Sequence, residues 1–186
     1  FFRLGDLFGG GPISVWLGGG NIRAELEAEY RKAAEAATRV GDHRRAAFIY
    51  GKLLHDYRLA ADVLARGGMH HEAAILYLDK LGDAVSAARA FEAAGEVDRA
   101  LALYRARGEH ALAGDLLRRA GEDERALSEY ALAADRLIAA GNHLAAGELY
   151  IQRAARSDLA RPVFEAGWAD RPRGTALGCL QRLLPL

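Results

Sequence analysis

Four of the six histidines occupy one place in a recurring pattern, two residues after a glycine: His43, His70, His110 and His143. Imidazole changes charge near neutral pH and is the commonest zinc ligand, so four in register invite a metal or proton-transfer reading. Their placement argues against it. His43 and His70 fall on one kind of helix and His110 and His143 on another, so they should emerge on different layers, exposed or capping helix starts. His71-Glu72 opens like a zinc-protease motif, but Ile75 stands where the second histidine belongs. No glutamate lies three residues before any histidine, which removes the di-iron signature of helix bundles. Cys179, the single cysteine, sits between Leu177 and Leu180 and reads as a small core residue with no base to activate it. One cysteine also excludes an internal disulfide. The expectation is a protein that is not an enzyme, with no catalytic, cofactor-binding or metal site.

Arginine offers the other candidate chemistry, contact with phosphate. Arg44-Arg45, Arg118-Arg119 and Arg171 with Arg173 are paired, yet acidic residues such as Asp42, Asp115, Glu122, Asp123 and Asp170 lie beside them. Interleaved charge of this kind reads as a solvated helix face. The whole chain holds 25 basic and 25 acidic residues for a net charge of zero, so no global field recruits nucleic acid or an anionic membrane. An acidic column at Asp62, Asp115 and Glu148, broken by Arg89, further opposes phosphate. RNA binding is the least favoured alternative. No apolar run approaches the roughly 18 residues of a membrane span, and a cytoplasmic location is expected.

What positions these residues is a repeat. Seven copies begin at Gly41, Gly68, Gly82, Gly95, Gly108, Gly121 and Gly141, each with alanine five residues on and Tyr, Phe or Leu nine residues on. The alanine column is Ala46, Ala73, Ala87, Ala100, Ala113, Ala126 and Ala146; the bulky column is Tyr50, Tyr77, Phe91, Tyr104, Leu117, Tyr130 and Tyr150. An eighth copy, without its glycine, spans Ala60 to Leu64. A spacing of four puts the two columns on one helical face. The position before the aromatic widens that face and is polar at Glu129. Glycine suits a left-handed residue closing one helix, and the Asp, Glu or Asn that often follows suits the positive end of the next. Each copy is one short helix, too short to be stable alone.

Tyr50, Tyr77, Tyr104 and Tyr130 fall in alternate copies, and small pairs such as Ala60-Ala61, Ala87-Ala88 and Ala113-Gly114 fall in the others. This predicts bulky A helices and small-faced B helices in hairpins of about 27 residues, each needing a neighbour to cover its apolar face. The expected fold is all-α, a right-handed α–α superhelix of short antiparallel hairpins near 41–67, 68–94, 95–120 and 121–155, within a solenoid over 21–170. A first helix at about 22–40 carries a possible Glu27–Arg31 pair. The fourth A helix is longer than the others and is expected to protrude as a contact point. A helix capped by Ser157 or Asp158 tolerates Pro162 near its first turn, and a break at 171–174 precedes a capping helix within 171–186. Residues 1–20, rich in glycine and aromatics, read as a tail or linker; beginning with Phe, the chain reads as a piece of something longer or a processed product.

Paired short helices with alanine–aromatic spacing and a glycine turn, as in Gly95-Glu96-Val97-Asp98-Arg99-Ala100-Leu101-Ala102-Leu103-Tyr104, resemble the tetratricopeptide superfamily of α-solenoids. The period is shorter than that family's ~34 residues and is closer to vesicle-fusion adaptors and coat-type solenoids. The run including Ala166-Gly167-Trp168 and Arg171-Pro172 is also similar to helical-repeat proteins of bacterial systems that combine a MoxR-type ATPase, a von Willebrand domain and a β-propeller. The resemblance implies a non-catalytic scaffold or adaptor that binds protein partners, or a regulatory segment of a larger ATPase- or enzyme-containing assembly.

Overall fold

The computed structural model describes residues 21–169 and 176–184; the expected tail at 1–20 and the break at 171–174 lie outside them. The elements among these residues are all helices. In chain order they are α1 (Asn21–Arg39), α2 (His43–Phe48) with a π-helical turn at Ile49–Leu53, α3 (Tyr57–Arg66), α4 (His70–Asp79) and α5 (Ala84–Ala93). There follow α6 (Val97–Arg107), α7 (His110–Arg119), α8 (Asp123–Ala139), α9 (His143–Leu149) with a π-helical turn at Tyr150–Ala154, α10 (Ser157–Ala169) and α11 (Ala176–Leu183). Each helix packs chiefly on its neighbours in the chain. The fold is an all-α, solenoid-like stack, and no described helix is long and apolar enough to cross a membrane.

The repeat columns explain this packing. Ala46, Ala60, Ala73, Ala87, Ala100, Ala113 and Ala146 are wholly buried, and Tyr104 and Tyr130 are at most 2% exposed. Small residues let the backbones approach, and the rings fill the hollows between them. At Gly114 the fit is close enough that a Cβ would lie 2.6 Å from the Tyr130 ring; at Gly147 it would lie 2.2 Å from Phe164. All seven repeat glycines hold φ between 62° and 79°, the left-handed closing conformation that their position predicts. Of the residues after them, Asp42, Asp83 and Asn142 accept a backbone N–H three residues on. Glu96 and Glu122 do not cap; one methylene longer, they turn to Arg99 and Arg125.

Two non-glycine residues take the same left-handed conformation: His55 at φ 55° and Ala155 at φ 53°. His55 stands where the glycine of the eighth copy is missing. Ala155 opens a ninth copy that the glycine pattern hides, with Ala160 and Phe164 in the two columns and both wholly buried. Ala155 caps the second π-helical turn, and His55 follows Leu54, which caps the first. An alanine in this conformation costs roughly 1–2 kcal/mol. Ala155 is exposed, so Ala155→Gly loses no packing and should stabilise by about 1 kcal/mol, raising the melting midpoint by roughly 2–4 °C. A lowered midpoint in calorimetry would show that the turn carries no such strain.

Three expectations are corrected. Glu27 pairs with Arg23 at 3.0 Å, one turn back, instead of with Arg31. Pro162 lies beyond the first turn of α10, inside the helix, where it removes one backbone donor. The extra length of α8 does not protrude: Ala134 is wholly buried, and Leu137 and Ile138, three and four residues on, pack half-buried into the same apolar cluster. That helix carries Ala126 and Tyr130 in a first cluster reaching back to Ala34, and Ala134 in a second with Tyr150, Phe164 and Cys179. Spacing of three and four keeps one face apolar for its whole length, and beyond α7 the cover comes from α9 and the π-helical turn after it.

Candidate interaction surfaces

The structure keeps the histidine column apart and buries it more than expected. His43 lies against Gly67, where a Cβ would be 2.7 Å from its ring carbons, and His143 lies against Gly167, where a Cβ would be 2.5 Å from the histidine's Cβ and 3.1 Å from its ring. His70 is half-buried. His110 meets a carboxylate: its Nδ1 lies 2.8 Å from Glu129 Oε2, while Arg105 Nε donates to Glu129 Oε1 at 2.6 Å. His43 and His143 pack because the first turns of α2 and α9 face the ends of α3 and α10, where Gly67 and Gly167 leave room. Glu129, the one polar residue in the widened apolar stripe, is 5% exposed. Burial acts to raise its pKa, but hydrogen bonds from His110 and Arg105 outweigh it and hold the carboxyl below its usual range. This Arg–His–Glu cluster sits between α6, α7 and α8 and anchors them. Cys179 is fully buried, and burial pushes its thiol pKa up, the opposite of what a nucleophile needs. Among the described residues, no group of three His, Cys, Asp or Glu could hold a metal ion.

The acidic column also has a packing role. Tyr77 Oη donates to Asp62, Tyr130 Oη donates to Asp115 Oδ1 at 2.9 Å, and Tyr104 Oη reaches Glu92 Oε2 at 3.3 Å. Arg89 breaks the column, and Glu92, one turn further on, takes the missing carboxylate's place. Three of the four A-helix tyrosines, Tyr77, Tyr104 and Tyr130, are thus tied to the preceding B helix. Burial, followed by the neighbouring carboxylate, pushes the hydroxyls of Tyr77, Tyr104 and Tyr130 up to about 12.

Two grooves open on opposite helix sets. The first, about 640 Å³, is bordered by the B helices α5 and α7 and by the turn after α9. Arg89, Arg118, Arg119 and Arg153 line it, against Glu92 and Asp115. Both carboxylates are engaged: Arg119 contacts Glu92 at 2.6 Å and Arg153 contacts Asp115 at 2.7 Å. Arg118 donates to the Arg153 carbonyl. Four guanidinium groups against two carboxylates leave the groove positive. The sequence showed Arg118-Arg119 beside Asp115 and Glu122 as an ordinary solvated face. Only superposing the B helices brings Arg89 and Arg153 to the same wall.

The second groove, about 380 Å³, runs between the A helices α2 and α4 over a floor from α3. Phe48, Ile75 and Leu76 form its walls, Tyr57 and Leu64 its floor, and Gly51 lines it as well. Phe48 is 55% exposed, a large apolar side chain left uncovered. Compared with protein-family models, with curated proteins and with solved structures, the chain matches none of them.

Proposed function

We propose that this protein is a non-catalytic protein–protein interaction scaffold of tetratricopeptide-like type, acting in the cytoplasm and holding an acidic segment of its partner in the arginine-lined groove. The observation that carries the reading is the excess of guanidinium groups in an open groove whose own carboxylates are already paired. Planar guanidinium forks suit carboxylates geometrically. Stacked hairpins supply a long rigid wall on which such contacts add without reacting groups. A role as the helical-repeat component of a bacterial ATPase-containing assembly is the narrower form of this proposal; the residue resemblance alone supports it.

The same arginines are the one observation favouring RNA as the ligand, and Glu92 and Asp115 within the groove oppose it. The two separate experimentally. The chain, immobilised as bait, should retain a protein partner after nuclease treatment, and Arg89→Glu with Arg118→Glu should reduce retention by at least about tenfold. Both residues are exposed, so the variant's melting midpoint should stay close to that of the parent. Retention lost to nuclease, with a steep fall on adding salt, would install the RNA reading. Unchanged retention by the folded variant would exclude the groove as the binding site.

A further inference from the structure

The apolar groove on the A helices has features that the repeat does not require. Two residues before Tyr50, Tyr77, Tyr104 and Tyr130 stand Phe48, Ile75, Ala102 and Ser128, all exposed. One residue after each tyrosine stand Gly51, Leu78, Arg105 and Ala131. Large apolar side chains therefore crowd this face only at α2 and α4, where Phe48, Ile75 and Leu78 are 55%, 40% and 37% exposed. Gly51 lines the groove and packs closely on α3, where a Cβ would meet Ala60 at 3.4 Å and Tyr57 at 3.8 Å. It sits in the π-helical turn that widens the end of α2; such turns frequently mark functional sites.

The rim carries the charge. Arg44, Lys52, Lys80 and Glu72 border the groove, and Glu72 is taken by Arg44 at 3.5 Å. Lys52 and Lys80 are then in excess, with the Lys80 ammonium 5.9 Å from the centre of the Tyr57 ring. Only three lysines occur in the chain against 22 arginines, and two of them flank this one groove. A compact ammonium on a long stem reaches along a groove edge without closing it.

We infer that the groove between α2 and α4 binds a short acidic amphipathic helix of a protein partner, its aliphatic or aromatic anchors seated on Phe48, Ile75 and Tyr57 and its carboxylates on Lys52 and Lys80. Helices of about ten residues, as α4 is, present a wall roughly 15 Å long. That length matches two to three turns of a helix laid in the groove with anchors at i, i+3 and i+7. A positive rim around an apolar floor selects an acidic helix over a basic one. The inference rests on the scaffold reading only in taking the ligand to be protein, and it uses none of the residues of the arginine-lined groove.

The test is fluorescence anisotropy with the full chain and a labelled helical probe peptide carrying leucine and phenylalanine anchors and glutamate elsewhere. A second probe has lysine in place of every glutamate. The acidic probe should bind saturably and the lysine probe at least about tenfold more weakly. Lys52→Glu with Lys80→Glu should reverse that preference, and Phe48→Ser should weaken both probes. All three residues are exposed, so the variants should melt with the parent. Arg89→Glu with Arg118→Glu should leave probe binding unchanged, which separates this site from the arginine-lined groove. Non-saturable binding, equal affinity for both probes, binding indifferent to Phe48→Ser, or self-association of the chain through Phe48 would each overturn the assignment.

Discussion

Raising the pH from 10 to 12 should unfold this protein cooperatively, with phenolate absorbance and loss of helical signal rising together. Tyr77, Tyr104 and Tyr130 hold their protons to about 12 against an ordinary value of 10.0. Burial is the main cause, and the adjacent Asp62, Glu92 and Asp115 add to it. The folded state binds these protons more tightly than the unfolded chain. Their contribution is therefore complete below pH 10 and is lost as pH climbs through the folded value. Each tyrosine accounts for at most roughly 2–3 kcal/mol, so their ionisation weakens the fold strongly relative to the stability of a typical domain. Tyr130→Phe should move the alkaline midpoint upward, because one ionisation is gone, while costing about 1 kcal/mol at neutral pH for the lost hydrogen bond to Asp115. Phenolate absorbance complete near pH 10 in a chain that stays helical would contradict the packing described for these rings.

Glu129→Ala should destabilise by about 3 kcal/mol or more in urea at neutral pH, since breaking a buried pair strands its partners. Arg105 is 44% exposed and recovers water, whereas the His110 side chain is 13% exposed and is left largely without a partner. Glu129→Gln keeps an acceptor for Arg105 and should cost less. The pH profile distinguishes loss of the ion cluster from loss of volume. Because the carboxyl is held below its ordinary 4.5, its contribution is present above that pH and disappears as pH falls through the folded value. The parent and Glu129→Ala should therefore converge in stability toward acid pH. A gap that stays constant down to acid unfolding would assign the whole effect to packing.

The parts of this fold that were legible in the chain are those where one residue type answers one local requirement. Gly95 and Gly121 mark left-handed turns because glycine alone takes them freely, and Ala100 or Ala113 marks a close helix approach because nothing larger fits. His55 and Ala155 meet the same backbone demand with the wrong residue, so the copy opened by Ala155 carried no visible punctuation. Glu129 was seen as an interruption of an apolar stripe. Its meaning depends on Arg105 and His110, 24 and 19 residues earlier, and nothing local joins them. Other charge partners also lie about one repeat apart, as Arg58 with Asp83 at 3.2 Å and His71 with Glu96 at 2.5 Å. They looked like solvated faces because each helix, taken alone, has one. Both grooves share that character: the arginine wall and the lysine-rimmed apolar cleft exist only once helices of the same kind are set side by side.

Contacts that run from each helix to its immediate successor also shape how the chain acquires its structure. Bringing α4 onto α3 or α5 onto α4 closes only a loop of a few residues, and the entropy lost in closing a loop grows with its length. The topology is of low contact order, the kind that folds quickly. A chain leaving the ribosome can settle hairpin by hairpin, each completed unit offering its alanine-lined face as a template for the next before the remainder has been synthesised.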